Sequence, residues 1–237
     1  MDKFNFITIG YDCSPAYALR ILNMRPFALP FDWVESNITS LEKCFHTHFK
    51  FFYTKLRLNK KRTRLIDYHG FQFPHDYPTI KHTVPDDEDN FYNENIIVNN
   101  WSDFYKENLE KYKRRIERFN NILNDDKPII ILCRYPNSHV IFLRKLFIKY
   151  YNKNNLIFVN SNPDKMFIKI DDTYILSCNT DINTWNEAKI WEENILNIIN
   201  PDFLDTAIDT DIYNWHKLIK NPTPIPITKK RFAMTFT

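Results

Sequence analysis

The chain reads as an α/β protein: a layered, mixed sheet flanked by helices in a single domain. Three observations predict this. Strand-like and helix-like segments alternate along much of its 237 residues. Continuous apolar runs such as IIIL at 129–132 suit central strands covered on both faces. Asp171-Asp172 separates two short apolar runs and predicts a local hairpin, so the sheet cannot be wholly parallel.

FNFITIG at 4–10 predicts a buried strand and SPAYALRILNM at 14–24 the helix after it, with Ser14 as cap and Pro15 at the first helical position. MRPFALPFDWV at 24–34, with two prolines and an aromatic cluster, predicts an ordered loop. A helix from about residue 40 follows from the capping box Thr39/Glu42 and from Leu41, Phe45 and Phe49 on one face. RLIDYHGFQF at 64–73 predicts a strand broken at Gly70, and HTVPDDEDNFYNEN at 82–95 a mobile loop. Tyr105, Leu109, Tyr112, Ile116, Phe119 and Leu123 step by three and four, which predicts a long helix over 103–123. Strands are expected at 128–134, 155–160, 166–170 and 174–178, with helices near 138–150 and 185–198. The second of these helices opens on the capping box Thr184/Glu187. One domain is expected over 1–220, followed by a Pro-rich, then basic, extended tail at 221–237.

A composition of 43% hydrophobic and 16% aromatic residues is that of a globular chain. The net charge of +3 gives no global case for nucleic acid, and no run of about 18 apolar residues suggests a membrane span. The polar start MDKFNF does not resemble a signal peptide. Cys13, Cys44, Cys133 and Cys178 are widely spaced without a CxxC pair, which predicts free thiols in a reducing, cytoplasmic compartment.

Both glycines of the chain lie near chemistry-bearing residues: Gly10 three positions before Cys13, and Gly70 five before His75. A thiol at a strand-to-helix junction meets unpaired N–H groups and the positive helix end, which lower its pKa from about 8.5. Asp12 beside it acts in the opposite direction, and Pro15 removes one donor. A buried structural cysteine is the plain alternative. His75 in FPHDY is the natural base for such a nucleophile, with His69 behind it. Asp32 in PFDW and Asp76 are the acids that could hold its ring, unless Pro-His-Asp is simply a turn.

The order GYDCSPAYALR, RPFALPFDW, FPHD and then RRIERF before an apolar strand resembles a family of papain-like cysteine peptidases found in bacteria and large DNA viruses. PFDW and F-x-H-D are its more specific parts, and the likeness covers about the first 135 residues. The resemblance implies Cys13 as nucleophile, His75 as base, an Arg-rich helix at Arg114, Arg115 and Arg118, and a fold that would be a divergent papain-like variant.

Other constellations are weaker. CFHTH at 44–48 puts Cys44 and His48 on one helical face, but further ligands are not marked, so no metal or other cofactor is expected. KLRLNKKRTR at 55–64 has six basic residues and supports at most weak, salt-sensitive nucleic acid binding. The arginines at 114, 115 and 118 could grip a carboxylate or phosphate, although pairing with Glu110 and Glu117 is the plainer reading.

The leading expectation is therefore a cysteine hydrolase or acyl transferase acting on a peptide, an isopeptide or a small amide. One alternative is a transferase that holds a phosphate-containing ligand at the first strand-helix junction. The other is a non-catalytic protein that docks on a host partner.

Overall fold

The run Ile129–Leu132 lies inside a six-stranded sheet and is fully buried, as its uninterrupted apolar character requires. The computed structural model describes residues 3–85, 91–178 and 188–209. Over these the order of elements is β1 (Asn5–Gly10), α1 (Ser14–Ile21), α2 (Ile38–His46), β2 (Arg57–Leu58), β3 (Leu65–Ile66), β4 (Gln72–Phe73), β5 (Thr79–Pro85) and β6 (Phe91–Ile97). There follow α3 (Tyr105–Asn124), β7 (Ile129–Arg134), α4 (Asn137–Tyr151), β8 (Leu156–Ser161), β9 (Met166–Ile170), β10 (Thr173–Cys178), α5 (Ala188–Ile198), α6 (Pro201–Leu204) and β11 (Ile208–Asp209).

The large sheet runs β1-β7-β8-β10-β9-β11. β1, β7, β8 and β10 are parallel neighbours, and β9 turns back on β10 through Asp171-Asp172. Alternate residues along each strand enter two different cores. Ile129, Ile131 and Phe158 pack with Leu41, Phe45, Phe119 and Phe147 on the face of α2, α3 and α4. Ile130, Leu132 and Val159 pack with Ala18, Leu19, Trp191 and Ile195 on the face of α1 and α5. The architecture is α/β with a mixed sheet between helical layers. Among the described residues no helix is long and apolar enough to cross a membrane.

Several expectations need correction. The stretch 82–95 enters a β-ribbon: β5 pairs with β6 in antiparallel register from Thr79↔Ile97 to Pro85↔Phe91, leaving only 86–90 between them. Apolar residues at 80, 84, 91 and 96–97 made strands possible. Asn37, not Thr39, caps α2, because its side chain accepts the Ser40 N–H at 2.9 Å. The strand expected at 64–73 is two short strands around a turn. The Thr184/Glu187 box and the tail at 221–237 lie outside the described residues.

That turn explains Gly70. Asp67 Oδ1 accepts the N–H groups of His69, Gly70 and Phe71 at 2.9–3.0 Å, and its Oδ2 accepts that of Tyr53 at 3.0 Å. Closing the turn requires φ of +99° at Gly70, and a Cβ there would lie 3.1 Å from Ser40 Oγ. Gly70→Ala should therefore lower stability by about 1–2 kcal/mol, read as a shift in denaturant midpoint. An unchanged midpoint would show that the turn relaxes freely.

Candidate active site

β1 ends at Gly10, whose partner across the sheet is Arg134 at the end of β7. In open α/β sheets ligands bind beyond the carboxyl ends of parallel strands, and Cys13 sits at that edge, immediately before α1. Gly10 is needed there for close approach: a Cβ would lie 3.1 Å from the Asp12 carbonyl oxygen. The start of α1 differs from expectation. Asp12 Oδ1 accepts both the Ser14 N–H (2.9 Å) and the Ser14 hydroxyl (2.7 Å), so Ser14 is the capped residue and not the cap. Arg134 clamps the other Asp12 oxygen at 2.5 Å. A carboxylate of the chain itself thus fills the place where a ligand's phosphate would meet the helix.

The segment after α1 distributes its side chains between core and site. Phe31 is buried among phenylalanines. Asp32 is 1% exposed and accepts from Thr8 Oγ1, from Arg25 Nη1 and from the Leu29 N–H (2.8 Å). Trp33 takes φ of +63°, a left-handed conformation that an aromatic residue adopts only when its surroundings hold it. Arg20 and Arg25 lie over its ring at 5.0 and 5.9 Å from the centroid, and His75 meets it edge-on at 5.9 Å.

Three residues further, Ser36 donates its N–H (3.0 Å) and its hydroxyl (2.7 Å) to the Gly10 carbonyl. Glu35 and Gln72 exchange backbone hydrogen bonds at 3.0 Å in each direction. The chain from Trp33 to Ser36 therefore runs between the end of β1 and β4, three residues short of His75. A second route links the same two residues. Tyr17 and Arg20 follow Cys13 by four and seven positions along α1, Arg20 lies over the Tyr17 ring at 5.4 Å, and Trp33 carries the contact on to His75. The charges of Glu35 and Arg64 act on both Cys13 and His75, which places both residues near that pair. Among the described residues no hydrogen bond joins them. Cys13 is 3% exposed, and His75 is exposed.

The remaining candidates have other partners. Asp76 accepts from Lys111 Nζ and from the Tyr112 hydroxyl, both at 2.6 Å, and its carbonyl accepts from Asn108 (2.8 Å). This fastens the His75 segment to α3. Among the described residues neither Asp32 nor Asp76 hydrogen-bonds the His75 ring, and His69 turns away to Thr47 Oγ1 (3.2 Å). Arg118 lies over the Phe27 ring (5.4 Å) and Arg115 over Tyr112 (5.1 Å), while Glu110 pairs with Lys113, so α3 supports the 24–34 loop. Cys44 is buried in the core with His46 and His48 exposed, and among the described residues no group of three His, Cys, Asp or Glu could hold a metal. In the basic run, Arg62 binds the Ile97 carbonyl and Asn99, and Arg64 pairs with Glu35.

That Glu35–Arg64 pair, at 2.7 Å, is what the sequence reading missed. Burial first, then the Glu35 and Asp12 charges, push the Cys13 thiol up to about 12, and Arg64 pulls the other way. Burial and Arg64 lower the His75 pKa against Asp76 and Glu35. At neutral pH the resting pair is therefore thiol and neutral imidazole. The expected effect of the helix end on the thiol is outweighed, since Asp12 already occupies the helix start.

Opposite charge deletions should move the thiol in opposite directions. Glu35→Gln removes a charge that opposes the thiolate and should speed iodoacetamide alkylation of Cys13 at pH 9 by roughly three- to tenfold. Arg64→Gln should slow it comparably. Acceleration in both variants would point to simple loosening.

A family model described as "Putative papain-like cysteine peptidase (DUF1796)" matches residues 4–160. An uncharacterised protein of Acanthamoeba polyphaga mimivirus is 26% identical over 232 residues, covering 81% of this chain and 97% of that protein. No solved structure matches.

Proposed function

The chain belongs to this papain-like cysteine peptidase family, and from that premise we propose that it is a cysteine hydrolase or acyl transferase in which Cys13 is the nucleophile and His75 the base. The single observation that supports the reading is the set of contacts between the two segments. Backbone bonds through Glu35 and Ser36, together with ring contacts through Trp33, join the end of β1 to the His75 segment.

The chemistry runs as follows. Cys13 Sγ attacks a carbonyl carbon as the thiol proton passes to neutral His75, so no preformed thiolate is required. His75 then returns that proton to the leaving amine as the C–N bond breaks, which leaves a thioester on Cys13. Water or an acceptor nucleophile attacks the thioester, His75 takes its proton, and the thiol is regenerated. The charges of Asp76 and Glu35 both favour the imidazolium formed midway. Asp32 serves at one remove, by holding the loop that carries Trp33. The substrate class is a peptide, an isopeptide or a small amide.

The burial of Cys13 favours a second reading, a non-catalytic interaction protein that keeps the family's fold. One experiment separates the two. On incubation with a p-nitrophenyl ester or a peptide thioester, the intact mass should gain one acyl group on Cys13, lost in Cys13→Ala and strongly slowed in His75→Ala. An unmodified Cys13 after prolonged exposure would leave the interaction protein as the reading.

A further inference from the structure

Four arginines lie on the segments that carry Cys13, Trp33 and His75 or pair with them, and three have a carboxylate. Arg134 pairs with Asp12, Arg25 with Asp32 and Arg64 with Glu35. Among the described residues no carboxylate lies within ion-pair distance of Arg20, which is exposed. Its guanidinium is nevertheless held in place, over the Tyr17 ring at 5.4 Å and the Trp33 ring at 5.0 Å. A cation needed only for the carboxyl end of α1 would gain from any position there and would not need two ring faces. A guanidinium stacked on aromatic rings keeps its N–H edge free for a planar acceptor, and fixing it beforehand reduces the ordering cost of binding one.

We propose that Arg20 is a specificity-determining residue of this site, a subsite that binds a carboxylate of the substrate on the Tyr17–Trp33 ledge. The proposal rests on the reading of Cys13 and His75 as the reacting pair and adds the substrate class: acyl donors with an acidic side chain near the attacked carbonyl. Seven residues of helix separate Cys13 from Arg20, a rise of about 10 Å. An extended chain covers about 3.3 Å per residue, so a glutamate one or two residues from the reacting carbonyl would reach the guanidinium. Trp33 has a second part in this. It touches both Arg20 and His75, so the carboxylate subsite and the base share one side chain, held in the left-handed conformation by contacts on both sides.

The test uses matched probes on the full chain. Iodoacetyl-Ala-Glu-amide should alkylate Cys13 at pH 9 and low salt roughly fivefold faster than iodoacetyl-Ala-Gln-amide, the size expected of one exposed ion pair. The preference should fall to about one in Arg20→Gln and shrink with added salt. In parallel, the Arg20 Nε–H resonance should shift on titration with unreactive acetyl-Ala-Glu-amide and stay still with acetyl-Ala-Gln-amide. Equal rates for the two probes on the wild-type chain, or a preference that survives Arg20→Gln, would overturn the subsite. If Cys13 takes up neither probe, the reacting-pair reading fails separately, and the resonance titration decides: a shift upholds the carboxylate subsite, and none removes it.

Discussion

Phe31→Ala is expected to lower the stability of this protein by about 3–5 kcal/mol, the range for emptying a large buried aromatic site. Phe31 packs against Phe45, Phe49, Phe52, Phe71 and Phe119, with ring centroids 5.5–6.0 Å apart. These five rings come from α2, the loop after it, the Asp67 turn and α3, so the cavity left behind cannot be closed by moving one element. Aromatic pairs add to the area term, which places the effect toward the upper part of the range. Chemical denaturation should show a lower midpoint with little change in slope. A loss below about 1 kcal/mol would mean that the rings repack, and that Phe31 is not the anchor of the loop.

Asp32→Ala should be of similar size, about 3–5 kcal/mol, for a different reason. Its carboxylate is enclosed and receives the Arg25 guanidinium, the Thr8 hydroxyl and the Leu29 N–H. Removing it leaves a half-buried cation and two donors without an acceptor. The cost is therefore that of the orphaned partners more than of the lost pair. Replacing Arg25 as well, as Arg25→Met, should recover part of the loss, because the uncompensated charge goes with it. A double variant less stable than Asp32→Ala alone would refute this account. Phe31 and Asp32 hold the same loop, so their effects should not add.

The layers of this fold were legible because period and apolarity are local properties. IIIL, LIFV and the Tyr105–Leu123 stripe each announce their element, and Asp171-Asp172 announces its hairpin. What escaped depended on partners distant in the sequence. β5 and β6 pair with each other, and the pairing outweighs the polar look of 82–95. Asn37 and Thr39 are both acceptable caps by type, and only the backbone geometry selects Asn37. At the site, Cys13 and His75 could be named as residue types, but their environment could not be read. The neutral thiol follows from burial and from the charges of Glu35 and Asp12, and Glu35 is paired with Arg64, 29 positions along the chain.

The most direct measurement of the Cys13–His75 pair is the pH dependence of Cys13 acylation by an activated ester. With neutral His75 as base, the rate should rise with loss of a proton from a group below pH 6.5, the direction in which burial and Arg64 move the imidazole, and then level off through neutral pH. His75→Ala should lose both the rise and the plateau and fall by about 10²–10⁴ at pH 7. If the wild-type rate instead climbs tenfold per pH unit through pH 10, and His75→Ala follows the same line, Cys13 reacts alone as a rare thiolate and the two residues are not a catalytic pair.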